Sequence, residues 1–313
     1  MSAYRPNVRI FWNVHEHRLR AGWRIALQLL LATILGALPI ALIAEPLTAL
    51  HRVGLFLPLL DHDRYDRVIN MIVGPLLTLG VVGSVLIAAR WLDRRPLSHY
   101  GVVIDAKWWK SLALGFAISG AVMLMIFGFE FAAGAIVVTA GTTAIVYSIV
   151  KVLCVGVYEE FVTRGYLLRN LADGMNMQAA IVISSLVFAA LHFANENASA
   201  MSMIGLAVNA LFFASAALLT RRLSAAIGAH IGWNLFEGAI LGFPVSGDKE
   251  VASLIHIRQL GSAIVTGGAF GPEAGLVGVA ASLFGIGAFY VLTRARSPRP
   301  EARVLSSAGS PPR

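Results

Sequence analysis

The stretch Val68–Ala89 reads VINMIVGPLLTLGVVGSVLIAA, 22 residues without one charged side chain. At about 1.5 Å of rise per residue, a helix of this length spans roughly 33 Å, enough to cross a hydrocarbon core about 30 Å thick. Four more stretches share its character: Ile25–Ala44, Ser111–Phe129, Ala198–Thr220 and Ala274–Thr293. Over all 313 residues, 57% of the side chains are hydrophobic and only 13% are charged, more apolar surface than a soluble domain can hide. Three further stretches, Thr139–Leu171, Met177–Ala194 and Leu223–Val245, are apolar but interrupted by polar or ionisable groups.

The expected fold is therefore all-α, a polytopic integral membrane protein of about eight transmembrane helices. No repeat of fixed period occurs, and the connections are too short for a second domain. Residues 1–24 form a cytoplasmic N-terminal segment, residues 25–294 the transmembrane domain, and residues 295–313, rich in Pro, Ser and Arg, a disordered cytoplasmic tail. Pro46–Arg67 is expected as a solvated external loop and Asp248–Glu273 as a second external connection, broken by Gly and Pro.

The net charge of +8 has a distribution that a membrane explains and a nucleic-acid partner does not. Basic residues cluster on the side of the termini: Arg5, Arg9, Arg18, Arg20 and Arg24, then Arg90, Arg94, Arg95, Lys107 and Lys110, then Arg164, Arg169, Arg221 and Arg222, and finally Arg294 onward. The other side receives Arg52, Arg64, Arg67, Lys249 and Arg258, with Asp61, Asp63 and Asp66 among the arginines. Cytoplasmic loops carry the excess of Lys and Arg, so both termini are expected in the cytoplasm of a multi-pass inner or plasma membrane protein. The single cysteine, Cys154, excludes an intramolecular disulfide and reads as a small core residue. The first apolar stretch lacks a small-residue cleavage site before Glu45 and reads as a retained helix. Trp23, Trp91, Trp108 and Trp109 fall near helix ends and suit an interfacial belt.

Ionisable groups inside a membrane persist where they are paired, face a cavity or do chemistry. In Tyr158-Glu159-Glu160-Phe161-Val162-Thr163-Arg164, helical spacing puts Glu160 and Arg164 on one face at i and i+4 as an ion pair. Glu159, turned about 100° away, needs another partner. A second group, Phe188-Ala189-Ala190-Leu191-His192, and a third, His230-Ile231-Gly232-Trp233-Asn234, bring two histidines and an asparagine into apolar helices. From helix ends near Leu171, Met177 and Arg222, helical rise places Glu159 at about 18 Å, His192 at about 22 Å, His230 at about 12 Å and Asn234 at about 18 Å from the cytoplasmic side. The arithmetic allows the four to converge. Lys151, Asn209 and Glu237 read as supporting groups, through local pairing, an interhelical hydrogen bond and support of Asn234 one turn earlier.

Glu-Glu-x-x-x-Arg at 159–164, Phe-x-x-x-His at 188–192 and His-x-x-x-Asn at 230–234, in this order on successive membrane helices, resemble the CAAX-processing and bacteriocin-processing (Abi) family of intramembrane proteases. Gly-Pro-Glu-Ala-Gly at 271–275 resembles bacterial members less specifically, and the first 130 residues carry no matching motif. The resemblance implies hydrolysis of a peptide bond in a membrane-associated or lipidated protein or peptide, at a site within the bilayer. Glu159 and His192 would activate water, His230 and Asn234 would stabilise the oxyanion, and Glu160 and Arg164 would support the helix. No cofactor is favoured. Zinc on Glu159, His192 and His230 is the alternative chemistry, although a compact His-Glu-x-x-His arrangement is absent. The alternatives of other classes are a proton-coupled transporter or channel, against which stands the lack of an inverted repeat, and a non-catalytic scaffold or immunity protein.

Overall fold

The computed structural model describes residues 8–14, 16–139, 141, 145–248 and 252–295. The expected disordered tail lies outside these residues from position 296 on, as do Arg5 and Lys249. In chain order the long helices are α1 (Ala21–Arg52), α2 (His62–Asp93), α3 (Ala106–Ala132), α4 (146–174), α5 (Met177–Leu191), α6 (Ala200–Thr220), α7 (223–240) and α8 (Leu276–Ala295). Helices α1, α2, α3, α6 and α8 are long and apolar enough to cross a membrane, and they coincide with the five uninterrupted stretches. Helices α4, α5 and α7 carry the three motifs.

The helices begin where the sequence supplies caps. The Asp61 carboxylate accepts from the Arg64 amide at 2.8 Å to start α2, and Asp105 does the same for the Trp108 amide at the head of α3. Ser199 and Ser202 form a reciprocal cap at the head of α6. These devices correct the expectation of a loop over Pro46–Arg67. Glu45–Arg52 continues α1, with Pro46 just past the π turn Ile40–Ala44, and the Asp61 cap makes His62–Arg67 the opening turns of α2. Stacking of His51 on Tyr65, with ring centroids 3.9 Å apart, ties the two helices together there.

A second correction concerns the stretch expected to be helical from Thr139. Its start is a strand: β-branched Ile136–Thr139 pairs antiparallel with His256–Gln259, and α4 begins only at Val146. Strand geometry wins because His256–Gln259 supplies the backbone partners, while Ile136 and Ile257 pack against the core.

Two ends of the molecule follow from these contacts. At the end carrying the termini, Asp93 is the hub of a buried polar cluster. Arg24 pairs with its carboxylate, Tyr100 donates to it, and Asn170 donates at 3.2 Å. Arg18 donates to the Asp93 carbonyl and to Asp173, each at 3.2 Å. Burial pushes the His99 imidazole below its ordinary value, against the opposing pull of Asp173, and pushes the Tyr100 hydroxyl up together with its bond to Asp93. The α6–α7 turn docks at this end too, where the Leu223 amide donates to the Gly101 carbonyl at 3.0 Å and Arg222 clamps Asp105 at 2.8 Å. At the far end the loops are tied together by the short sheet just described, by Ser148 donating to the Ala252 carbonyl at 3.0 Å, and by Asn195 donating to the Ser246 carbonyl at 2.8 Å.

Helix α7 runs through the middle. Every residue from Leu223 to Asn234 is buried. Its glycines make this possible: a Cβ at Gly228 would sit 2.0 Å from the Leu112 carbonyl oxygen, and one at Gly232 2.7 Å from that of Phe116. Small residues let membrane helices approach backbone to backbone, which dispersion then rewards. Trp108 corrects the belt expectation: it is buried against Leu223, Ile227 and Ile231, while Trp23, Trp91 and Trp109 remain exposed.

Candidate active site

The three motifs meet. Glu159 Oε2 lies 4.0 Å from His192 Nε2 and 3.9 Å from His230 Nε2, so α4, α5 and α7 each deliver one group to a common point. Asn234, one turn beyond His230, lines the same cavity of about 170 Å³ with Asn209, Phe213 and Trp233. Convergence, which helical rise only allowed, is what the packing produces. Gly156 is part of the reason, because a Cβ there would come within 2.6 Å of Ile231 and hold α4 away from α7.

Each ring is fixed from behind. The Nδ1 of His192 is 2.9 Å from the Phe188 carbonyl, one turn back where α5 ends, so Nδ1 is the donor and Nε2 is left as an acceptor facing Glu159. The Nδ1 of His230 donates to Glu160 Oε1 at 2.9 Å, and Arg164 donates to the same oxygen at 2.7 Å. The expected Glu160–Arg164 pair is present, but its second task, orienting His230, is not visible in the spacing because the two residues are 70 positions apart.

Arg164 is itself buried and fully engaged. Nη1 also donates to Thr163 at 2.9 Å, Nη2 donates to the Ala210 carbonyl at 3.1 Å, and the guanidinium lies 4.3 Å over the Phe188 ring. Phe188 thus serves both motifs, as base for Arg164 and as carbonyl acceptor for His192. Phe213, which carried no sequence signal, stacks on His230 with centroids 4.6 Å apart and planes 13° from parallel. Its place on α6, three residues past Ala210, gives it this position.

Glu159 differs from Glu160 in the way a reactive group differs from a structural one. Each keeps an Oε2 that is shielded from solvent with no hydrogen-bond partner among the described residues, but it is that of Glu159 which faces both Nε2 atoms. Such an orphan is costly unless a further donor completes it. Two of the three motif helices switch to π geometry at their motifs, over Phe161–Leu167 within the first and over Leu235–Ile240 directly after the third, a local rewinding common at functional sites.

The supporting residues are sorted by the same geometry. Lys151 pairs with Asp248 across the cavity mouth, and Asn209 lines the wall. Glu237 is fully buried against Glu273, which accepts from the Ser246 hydroxyl at 2.8 Å, so the Gly-Pro-Glu-Ala-Gly segment meets α7 beside the site, on the rim side of the cavity. A second, apolar opening reaches Glu159 and His192 from the side, between Ala32 and Gly36 of α1 and Leu191 of α5.

Glu159, His192 and His230 are donor types that zinc accepts, and the two separations from Glu159 are wider than a bound ion would set. Donors at roughly 2.0–2.1 Å from a tetrahedral ion stand about 3.3 Å apart. Here they are 3.9 and 4.0 Å apart, and among the described residues no group of three His, Cys, Asp or Glu is placed to hold a metal.

The family model for type II CAAX prenyl endopeptidase, Rce1-like, matches residues 141–236. That segment holds all three motifs and agrees with the family they resemble, although it covers less than half of the chain. No curated protein matches the sequence.

Proposed function

On a segment that matches type II CAAX prenyl endopeptidases, we propose that the protein is an intramembrane endopeptidase in which Glu159 and His192 activate a water molecule. The observation that carries this reading is the orphan Oε2 of Glu159 opposite the acceptor Nε2 of His192. Two acceptors 4.0 Å apart suit a single water donating one hydrogen bond of about 2.8 Å to each at close to a right angle.

The water oxygen attacks the scissile carbonyl carbon while Glu159 takes its proton. The carbonyl oxygen becomes the oxyanion, and the proton passes on to the leaving nitrogen as the C–N bond breaks. Donors for the oxyanion come from Asn234 and from His230 Nε2. Because Glu160 already holds the Nδ1 proton of His230, donation from Nε2 requires both ring protons, which makes this imidazole a cation. Glu159, Glu160, Arg164 and His230 then sum to zero charge, the arrangement a low-dielectric interior tolerates best. Glu160 and Arg164 hold His230 and the helix in place without touching the reacting atoms. The substrate is a membrane-associated or lipidated protein or peptide.

The test is cleavage of a membrane-anchored reporter peptide by purified protein in liposomes. Glu159→Gln and His192→Ala should each abolish cleavage while the protein stays folded and inserted. Full cleavage by both variants would remove Glu159 and His192 as the activating pair, and full biological activity in both without any cleavage would reject the protease reading and leave a transporter or scaffold.

A further inference from the structure

The cavity has a direction. From Glu159 it runs past Val155 and Val152 to Lys151 and Ser148, three turns toward the start of α4, and its rim is completed by Asn195 and Ser246. These rim residues belong to the far end, the one that carries the short sheet. Asn195 is exposed, and the Lys151–Asp248 pair at the mouth keeps 34% and 37% of its side-chain surface accessible. In the other direction the floor is sealed. Thr163, Arg164, Tyr166 and Leu167 are all buried, and beneath them lies the Arg24–Asp93–Asn170 cluster at the end carrying the termini.

The two ends differ sharply in charge. The sealed end holds Arg18, Arg20, Arg24, Arg90, Arg94 and Arg95 and the basic residues that follow on the same side, whereas the open end has Arg52, Arg64, Arg67 and Arg258, offset by Asp61, Asp63 and Asp66, and a Lys151 paired with Asp248. Lysine and arginine accumulate on the cytoplasmic side of short loops. We propose that the site opens away from the cytoplasm, and that its substrate is an extracytoplasmic peptide segment of an exported, membrane-held polypeptide. This rests on the protease reading for the word substrate, but the direction of the opening does not.

Single cysteines in a Cys154→Ala background test it. Asp63→Cys marks the open end, Asn195→Cys and its neighbour Glu196→Cys mark the mouth, and Lys107→Cys marks the sealed end; all four positions are exposed. Cells with an intact cytoplasmic membrane are treated with a membrane-impermeant maleimide, before and after permeabilisation. Asp63→Cys and at least one mouth position should label fully in intact cells, and Lys107→Cys should rise several-fold only on permeabilisation. The reverse pattern would overturn the inference, and so would mouth positions that label only after permeabilisation or not at all while Asp63→Cys labels. Labelling needs no turnover, so repeating it with Glu159→Gln separates the two readings: loss of cleavage activity leaves the pattern unchanged, and a reversed pattern beside intact cleavage rejects the direction alone.

Discussion

Glu160 accepts the Nδ1 proton of His230 at 2.9 Å through the same oxygen that receives Arg164. One carboxylate therefore couples the first motif to the third, and two adjacent glutamates acquire separate tasks: Glu160 is satisfied on its bonded oxygen and fixed, Glu159 faces the cavity.

Replacement of Glu160 by Gln keeps the shape but weakens the hold on His230 and leaves Arg164 without its counter-charge. Loss of an outer partner of this kind costs about 10–100-fold in activity. Steady-state cleavage should show that fall in kcat with KM little changed. The melting temperature should also fall, since removal of one member of a buried pair costs about 3–5 kcal/mol. Unchanged kcat would show that His230 needs no orientation.

Gly228 and Gly83 provide a matched pair for packing. A Cβ at Gly228 meets the Leu112 carbonyl oxygen at 2.0 Å, whereas one at Gly83 meets nothing within 4 Å. Gly228→Ala should destabilise by at least about 1–3 kcal/mol through forced separation of α3 and α7, and Gly83→Ala should be neutral or slightly stabilising. Thermal unfolding in one detergent measures both.

His99 gives the basic end a pH dependence. Burial holds its imidazole below the ordinary 6.5, so the folded state binds fewer protons than the unfolded state between the two values. Its contribution is complete above 6.5 and is lost as pH falls through the lowered folded value. Melting temperature should thus decline on acidification below 6.5, and His99→Gln should flatten that part of the profile. An unchanged profile in the variant would assign the effect to other groups.

Removal of metal should leave cleavage intact, because donors 3.9 and 4.0 Å apart suit water better than zinc. Extensive chelation followed by activity and metal analysis checks this. Stoichiometric zinc whose removal and return switches activity off and on would contradict it.

The five uninterrupted spans and the Glu160–Arg164 pair were legible in the sequence because each depends only on local spacing: about 20 apolar residues in one case, four residues in the other. The residues that converge were legible as motifs, and helical rise allowed their convergence without requiring it. Contacts joined across long separations were not. The bond from His230 to Glu160, the stack of Phe213 on His230, and the pairing of Ile136–Thr139 with His256–Gln259 all depend on how helices and loops pack, which no local pattern encodes. Pro46 and the Asp–Arg alternation up to Arg67 misled for a related reason: a proline just past a π turn and an aspartate cap leave the same residues in a helix that they leave in a loop.

The most direct measurement is cleavage of a membrane-anchored peptide by reconstituted Glu159→Gln beside the unaltered protein, with melting temperature recorded for both. The position of Glu159 opposite both Nε2 atoms predicts complete loss of cleavage by a variant that stays folded and keeps a cooperative melting transition, since Gln fills the same volume without supplying a base. Cleavage at the unaltered rate by a folded Glu159→Gln protein would contradict the assignment of Glu159 as the base.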